Sequence, residues 1–155
     1  MVARSFEPTR FYNCFGGAHE PALVLKSGDS VRTRTLDAHG FNERGEQVAS
    51  RPNPLTGPFL VEGAEDGDVL AVRLEELEPN RAEAWSHRYL AENVVDPSFA
   101  RHLPEQGYAR WRIEQGGRRL SPVDPAGGPS LPFAPMLGCI GTAPPGGQAL
   151  SSATS

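Results

Sequence analysis

The stretch Asn53 to Asp68, NPLTGPFLVEGAEDGD, leaves its backbone few choices and constrains what surrounds it. Pro54 and Pro58 each fix φ and remove a backbone donor, and Gly57 and Gly63 admit φ values that other residues avoid. Between them Phe59-Leu60-Val61 is short, aromatic and β-branched, which reads as a buried strand. Glu62 then sits where that strand runs out. A carboxylate there has a held backbone and a head able to face a cleft, so it is placed for chemistry. The competing reading is a solvated loop acid, one of several around the turn at Glu65, Asp66 and Asp68.

Turns this frequent extend to the whole chain. Gly 17, Pro 15 and aromatic residues at only 8% disfavour long helices and favour many short strands. The fold class expected is mainly β, a sandwich or barrel with short helical segments. The 155 residues suffice for one domain with its own core. A net charge of -4 argues against nucleic acid or an anionic membrane surface as partner. No apolar run reaches the roughly 18 residues of a membrane span. The opening MVARSFEPTRF lacks the apolar region of a secretory signal. Cys14 and Cys139 form neither metal spacing nor a CxxC pair, so both read as small buried apolar side chains in a reduced, cytoplasmic protein.

In chain order, residues 1–10 read as a lead-in or edge strand, and residues 11–15 as a strand ending at Gly16-Gly17. Residues 22–25 and 31–36 alternate and flank the turn Ser27-Gly28-Asp29-Ser30, which predicts a hairpin. Residues 41–52 read as an exposed loop, and 69–77 as a long strand with Leu70, Val72 and Leu74 on one face. Gly28-Asp29 and Gly67-Asp68 each precede an alternating run, as two similar hairpins packed in a sandwich would require. Residues 81–92 fit a short helix or an irregular strand, and 97–103 one or two helical turns. Tyr108 to Glu114 and Arg118 to Leu120 fit a hairpin about Gly116-Gly117. Residues 121–135 read as loop, 136–142 as a last apolar strand, and 144–155 as a flexible tail unless something covers it.

Four blocks, in this order, resemble the acetamidase/formamidase family of amide hydrolases. They are PALVLKSGDSV from Pro21, TLDAHG from Thr35, NPLTGPFLVEGAEDGD from Asn53 and PMLGCIGTAP from Pro135. The third is long and unusual in composition. The resemblance implies a jelly-roll-like β-sandwich in an enzyme that converts formamide, acetamide or similar small linear amides to a carboxylic acid and ammonia. It also implies a metal-assisted reaction, with a divalent ion such as zinc. It covers the N-terminal portion of the family only. Members continue into a Gly-Gly-Asn-Met-Asp segment and a later His- and Gly-Asp-Gly-Glu-containing segment, which this sequence does not contain. The fold is therefore expected to be incomplete at the C-terminus. Homo-oligomerisation or a partner chain is expected to supply the missing half.

Amide hydrolysis needs an activated water, a stabiliser for the tetrahedral oxyanion and an acid for the departing amine. Asp37, His39 and Glu62 are the candidates: Asp37 as metal ligand, Glu62 as ligand or general base, and His39 as a second metal ligand two residues from Asp37. Each has a competing role. Asp37 can cap the turn at Gly40, His39 can be a surface or packing histidine, and Glu62 and Glu65 can hold backbone N–H groups of their loop. His19, His87 and His102 fall in no ligand spacing and read as exposed. Asp29 and Asp68 read as turn residues, and Trp85 and Trp111 as core or interface.

Overall fold

The computed structural model describes residues 3–16, 19–88, 94–103, 105, 107–114, 116 and 118–153. In chain order the strands are β1 Arg4–Phe6, β2 Phe11–Tyr12, β3 Cys14–Gly16, β4 Leu23–Leu25, β5 Val31–Thr33, β6 Leu55–Thr56, β7 Phe59–Val61, β8 Glu83–His87, β9 Tyr108–Ile113, β10 Arg119–Asp124, β11 Leu131–Pro132 and β12 Ala149–Ser151. Among the described residues one short α-helix, α1, spans Pro97–Ala100, and Pro145–Gly147 form a 3-10 turn. The fold is mainly β, as the turn-rich composition predicts. By its contacts the chain divides into two compact units, residues 1–75 with 137–155, and residues 76–136.

The first unit is assembled from two-stranded ladders. β1 runs parallel to β5 and β4 parallel to β7, while β2 pairs antiparallel with β6 and β3 with β12. The predicted hairpin of residues 22–25 and 31–36 is therefore not formed: each strand takes a partner distant in sequence. Its turn does form. Lys26 N donates to Asp29 Oδ2 (3.0 Å) and Asp29 N to the Lys26 carbonyl (3.0 Å). The Gly67-Asp68 turn repeats this bonding, Glu65 N to Asp68 Oδ2 (2.9 Å) and Asp68 N to the Glu65 carbonyl (3.1 Å). The internal echo is thus a repeated side-chain-closed turn, and both aspartates are structural. The fate of the segment after each turn is decided by tertiary pairing, because β preference depends on the neighbouring strand. Pairing β1 with β5 and β4 with β7 brings Phe6 edge-on to Phe59, ring centroids 5.2 Å apart.

The expected strand over 69–77 is also absent. It alternates, but no ladder partner takes its backbone groups, and Val69 is 94% exposed. Residues 136–142 likewise form no strand. The tail supplies one instead, β12, which pairs with β3 while its three side chains stay exposed, and only the following Ser152 is buried. In Phe59-Leu60-Val61 the outer two residues are half-buried and Leu60 is exposed, and Cys14 and Cys139 are both free and only half-buried. Among the described residues no apolar side chain is fully buried, and the most enclosed residue is Ser152, 1% exposed.

The second unit is a four-stranded antiparallel sheet in the order β11-β10-β9-β8. β9 alternates as predicted, with Ala109, Trp111 and Ile113 half-buried and Tyr108, Arg110 and Arg112 exposed. Trp111 Nε1 donates to Ser86 Oγ (3.0 Å), which satisfies the indole on its half-buried face. On the other face Trp85 meets Tyr108 edge-on at 5.4 Å, and Arg110 bonds Glu83 at 2.6 Å. Of the alternatives for residues 81–92 the strand is the one formed, with 89–93 outside the described residues. Residues 121–135, expected as loop, contain the rest of β10 and all of β11. Pro122 is tolerated in a strand because the register shifts between it and Asp124, a bulge that needs no N–H from it. Asp96 caps α1 through Ser98 N (2.8 Å), and Pro97 sits next, at the position where a missing donor costs nothing. Gln115, Gly117, Thr154 and Ser155, which the turn and tail readings include, lie outside the described residues, as do Gly17 and Pro104.

Candidate active site

The candidate residues lie in the first unit, on two loops. Asp37 heads a tight turn beyond β5. Its Oδ1 accepts from His39 N (2.9 Å) and Phe41 N (3.0 Å), its carbonyl accepts from Gly40 N (2.9 Å), and its own N donates to the Phe41 carbonyl (3.1 Å). The turn-capping role of Asp37 is thus realised. Gly40 is buried with φ +84°, and an added Cβ would lie 2.0 Å from the Ala49 carbonyl oxygen. Only glycine fits where two backbone segments approach so closely. Val48 N donates to the Gly40 carbonyl (2.9 Å) and Asn53 N to the Ala38 carbonyl (2.9 Å). The Asp37–Phe41 turn is thereby tied to the first residue of the Asn53–Asp68 stretch. His39 is half-buried, and its carbonyl accepts from Gln47 Nε2 (3.0 Å).

Glu62 is placed by strand direction. Because β4 and β7 are parallel, their C-terminal ends coincide, and Lys26 and Glu62 come directly after them. Glu62 N donates to the Leu25 carbonyl (2.7 Å), and Lys26 Nζ lies 3.8 Å from Glu62 Oε2. Both side chains are well exposed, 77% and 62%, so the pair is loosely held and screened by water. Sequence reasoning gave Lys26 no role, because the parallel pairing that brings it to Glu62 has no local signal.

Asn13 and Ser152 join the remaining parts of this unit. Asn13 interrupts β2 and β3, and its Nδ2 donates to the Ser50 (2.9 Å) and Pro52 (2.5 Å) carbonyls. The Asn13 carbonyl accepts from Ser152 N (3.0 Å) and Ser152 Oγ (3.0 Å), which also lies 3.2 Å from the Pro52 carbonyl. The Ser152 carbonyl accepts from Asn53 Nδ2 (3.0 Å) and from Cys139 Sγ at 3.7 Å. Asn53 and Cys139 both have positive φ, 42° and 56°. Asparagine tolerates that conformation, whereas for cysteine it is held only because its surroundings fix it.

A cavity of about 290 Å3 beside the Asp37 turn has the Arg34–Glu43 ion pair (3.1 Å), Leu36 and Asn42 in its wall. A second, of about 190 Å3, is lined by Tyr12, Glu20, Pro21 and Gly57 among others. Neither is lined by Asp37, His39 or Glu62. Among the described residues no group of three or more His, Cys, Asp or Glu side chains is placed to hold a metal ion. A zinc site uses at least three protein ligands. Asp37 and His39, with one carboxylate oxygen already taken by two backbone donors, do not make up a complete metal site.

The sequence model of the acetamidase/formamidase family matches residues 7–152. The chain belongs to the acetamidase/formamidase family. A protein of Schizosaccharomyces pombe named as a putative formamidase is 26% identical over 137 residues, covering 79% of this chain and 32% of that protein. The crystal structure of an acetamidase from Bacillus halodurans superposes with a TM-score of 0.65 at 23% identity, over 95% of this chain and 48% of that one. At this identity the likeness establishes the acetamidase fold for this mainly-β chain. The chain spans about a third of the length of the first relative and about half of the second.

Proposed function

We propose that this chain forms one portion of an amidase that hydrolyses small linear amides, of formamide or acetamide type, to carboxylate and ammonia. The observation that carries this reading is the family match over residues 7–152. In the reaction water adds to the amide carbonyl, the C–N bond breaks, and the nitrogen leaves after gaining a proton. Glu62 is assigned as the base that takes the proton from water. Its exposure at the end of a strand pair leaves it open to a substrate, and Lys26 beside it supplies positive charge for the developing oxyanion. Asp37 and His39 are assigned as donors to a divalent metal such as zinc. The described donors do not complete that site, so further ligands would come from polypeptide beyond these residues, and no step is assigned to the ion.

A second reading, a β domain that is inactive until a second copy or another chain supplies the remaining portion, is favoured by apolar exposure. Val69 and Val72 in one unit and Met136 in the other are 94%, 57% and 84% exposed, which is surface suited to burial. Among the described residues no helix is long and apolar enough to cross a membrane. With both cysteines free, we place the protein in the cytoplasm.

The test is ammonia release from formamide and acetamide. The 155-residue chain alone is expected to give none above buffer. Complemented to full family length, it is expected to turn over, with Glu62→Gln or Asp37→Ala lowering the rate by about 100-fold or more. Robust activity from the chain alone, abolished by Asp37→Ala, would overturn the division of the site. A complemented protein inactive on every small amide would overturn the amidase reading itself.

A further inference from the structure

Cys14 and His19 stand outside the residues assigned to amide hydrolysis, and nothing in the family resemblance gives them a role. The backbone of Cys14 is fixed: β3 pairs with β12 in the register Cys14 to Ser151, and the preceding Asn13 carbonyl is held by Ser152. His19 turns back so that its Nε2 lies 3.4 Å from Cys14 Sγ. Its ring stacks on Tyr12, centroids 3.7 Å apart and planes 20° apart, which sets the direction of the ring nitrogens. The thiol is half-buried rather than sealed. Cys139 offers an internal contrast, because its sulfur faces the Ser152 carbonyl oxygen, which is no base.

We propose that Cys14 and His19 are a nucleophile–base pair, a covalent site for a small electrophilic carbon compound. A thiol attacks as its thiolate, and an adjacent neutral imidazole is the group that takes its proton. His19 in the Nδ1–H tautomer receives the proton at Nε2. The sulfur electron pair forms a C–S bond, the bond from carbon to its leaving group breaks, and the leaving group departs with the electrons of that broken bond. The imidazolium then returns its proton to water, so no oxidant or reductant is needed. Tyr12, on which His19 stacks, and Glu20, the residue after His19, also line the cavity of about 190 Å3 together with Arg10 and Phe6. Cys14 and His19 do not themselves line that cavity.

The experiment treats the reduced full chain with iodoacetamide at neutral pH and tracks each cysteine by peptide mass spectrometry. Cys14 is expected to label at least about tenfold faster than Cys139, and faster in the folded chain than in concentrated urea. His19→Gln is expected to slow Cys14 about tenfold with Cys139 unchanged, and free imidazole to restore part of the rate to His19→Ala. Equal rates at the two cysteines, or a Cys14 rate no higher folded than in urea, overturns the proposal. So does a His19→Gln variant that labels Cys14 at the parent rate. If the variants unfold, seen as acceleration at Cys139, the comparison of folded and urea-treated parent chain decides.

Discussion

The two units are built from the same kind of short strand and hold together in different ways. In the unit of residues 76–136, β8, β9 and β10 make neighbouring antiparallel ladders, and β11 adds to β10 after a short turn. In the unit of residues 1–75 and 137–155, each ladder has only two strands, and many bonds join residues far apart in sequence. Ser152 to Asn13, Asn53 to Ser152 and Glu62 to Leu25 are examples. A sheet shares its stabilisation over many equivalent cross-strand pairs. A set of two-stranded ladders, each marginal alone, depends on the few points where they are fastened together. The residues assigned to amide chemistry, and the Cys14–His19 pair, all lie in the fastened unit. A site on loops is positioned only as well as those fastenings hold it.

If stability in the first unit is concentrated at nodes, substitutions there should be costly out of proportion to the atoms changed. Gly40→Ala is expected to have the largest effect. It adds a methyl group 2.0 Å from the Ala49 carbonyl oxygen at a residue with φ +84°. Backbone strain and overpacking together should cost at least about 3 kcal/mol, read as a lower urea midpoint by circular dichroism. A midpoint equal to the parent's would mean that the Asp37 turn is not tied to the 48–53 segment. Ser152→Ala comes next. It removes one hydroxyl shared between the Asn13 and Pro52 carbonyls, for an expected loss of about 1–2 kcal/mol. A loss no greater than that of a surface serine would dissolve the contrast between the units.

The smallest effect is expected in the sheet. The Arg110 hydrogen bond, then the charges of Arg110 and Arg112, hold the Glu83 carboxyl below its ordinary value of 4.5. A group depressed in the folded state contributes stability above its unfolded value, and that contribution disappears as pH falls through the lower folded value. Unfolding monitored by the emission of Trp85 and Trp111 should therefore show a slight acid-dependent loss below about pH 4.5. Glu83→Gln should lack this component, and added salt should weaken it, since both partners are exposed. A large acid effect confined to Glu83 would show that the sheet, too, rests on a single contact.

The same contrast governs how much of the molecule is legible in its sequence. The β9–β10 hairpin was legible because its alternation and its turn are local. The Gly-Asp turns were legible because Asp29 and Asp68 close them through their own side chains. The hairpin of residues 22–36 and the strands over 69–77 and 136–142 were misread for a common reason. Alternation shows that a segment is able to pair, but a strand exists only where another segment accepts its hydrogen bonds. In the candidate site Asp37, His39 and Glu62 could be nominated from their blocks. Lys26 beside Glu62, and His19 beside Cys14, could not, because parallel pairing and ring stacking join residues by route rather than by spacing.

The sequence by itself determined a turn-rich, mainly-β chain and membership of the acetamidase/formamidase family. Glycine and proline act on their own residue's backbone, and a long unusual block such as Asn53–Asp68 needs no context to be recognised. Only the tertiary structure decided which strands pair, that β12 and Ser152 bind the tail to Asn13, and which side chains meet at each loop. Those outcomes depend on competition among many nearly equivalent short strands. That competition is settled by hydrogen bonds and burial between segments more than a hundred residues apart, such as Asn13 and Ser152.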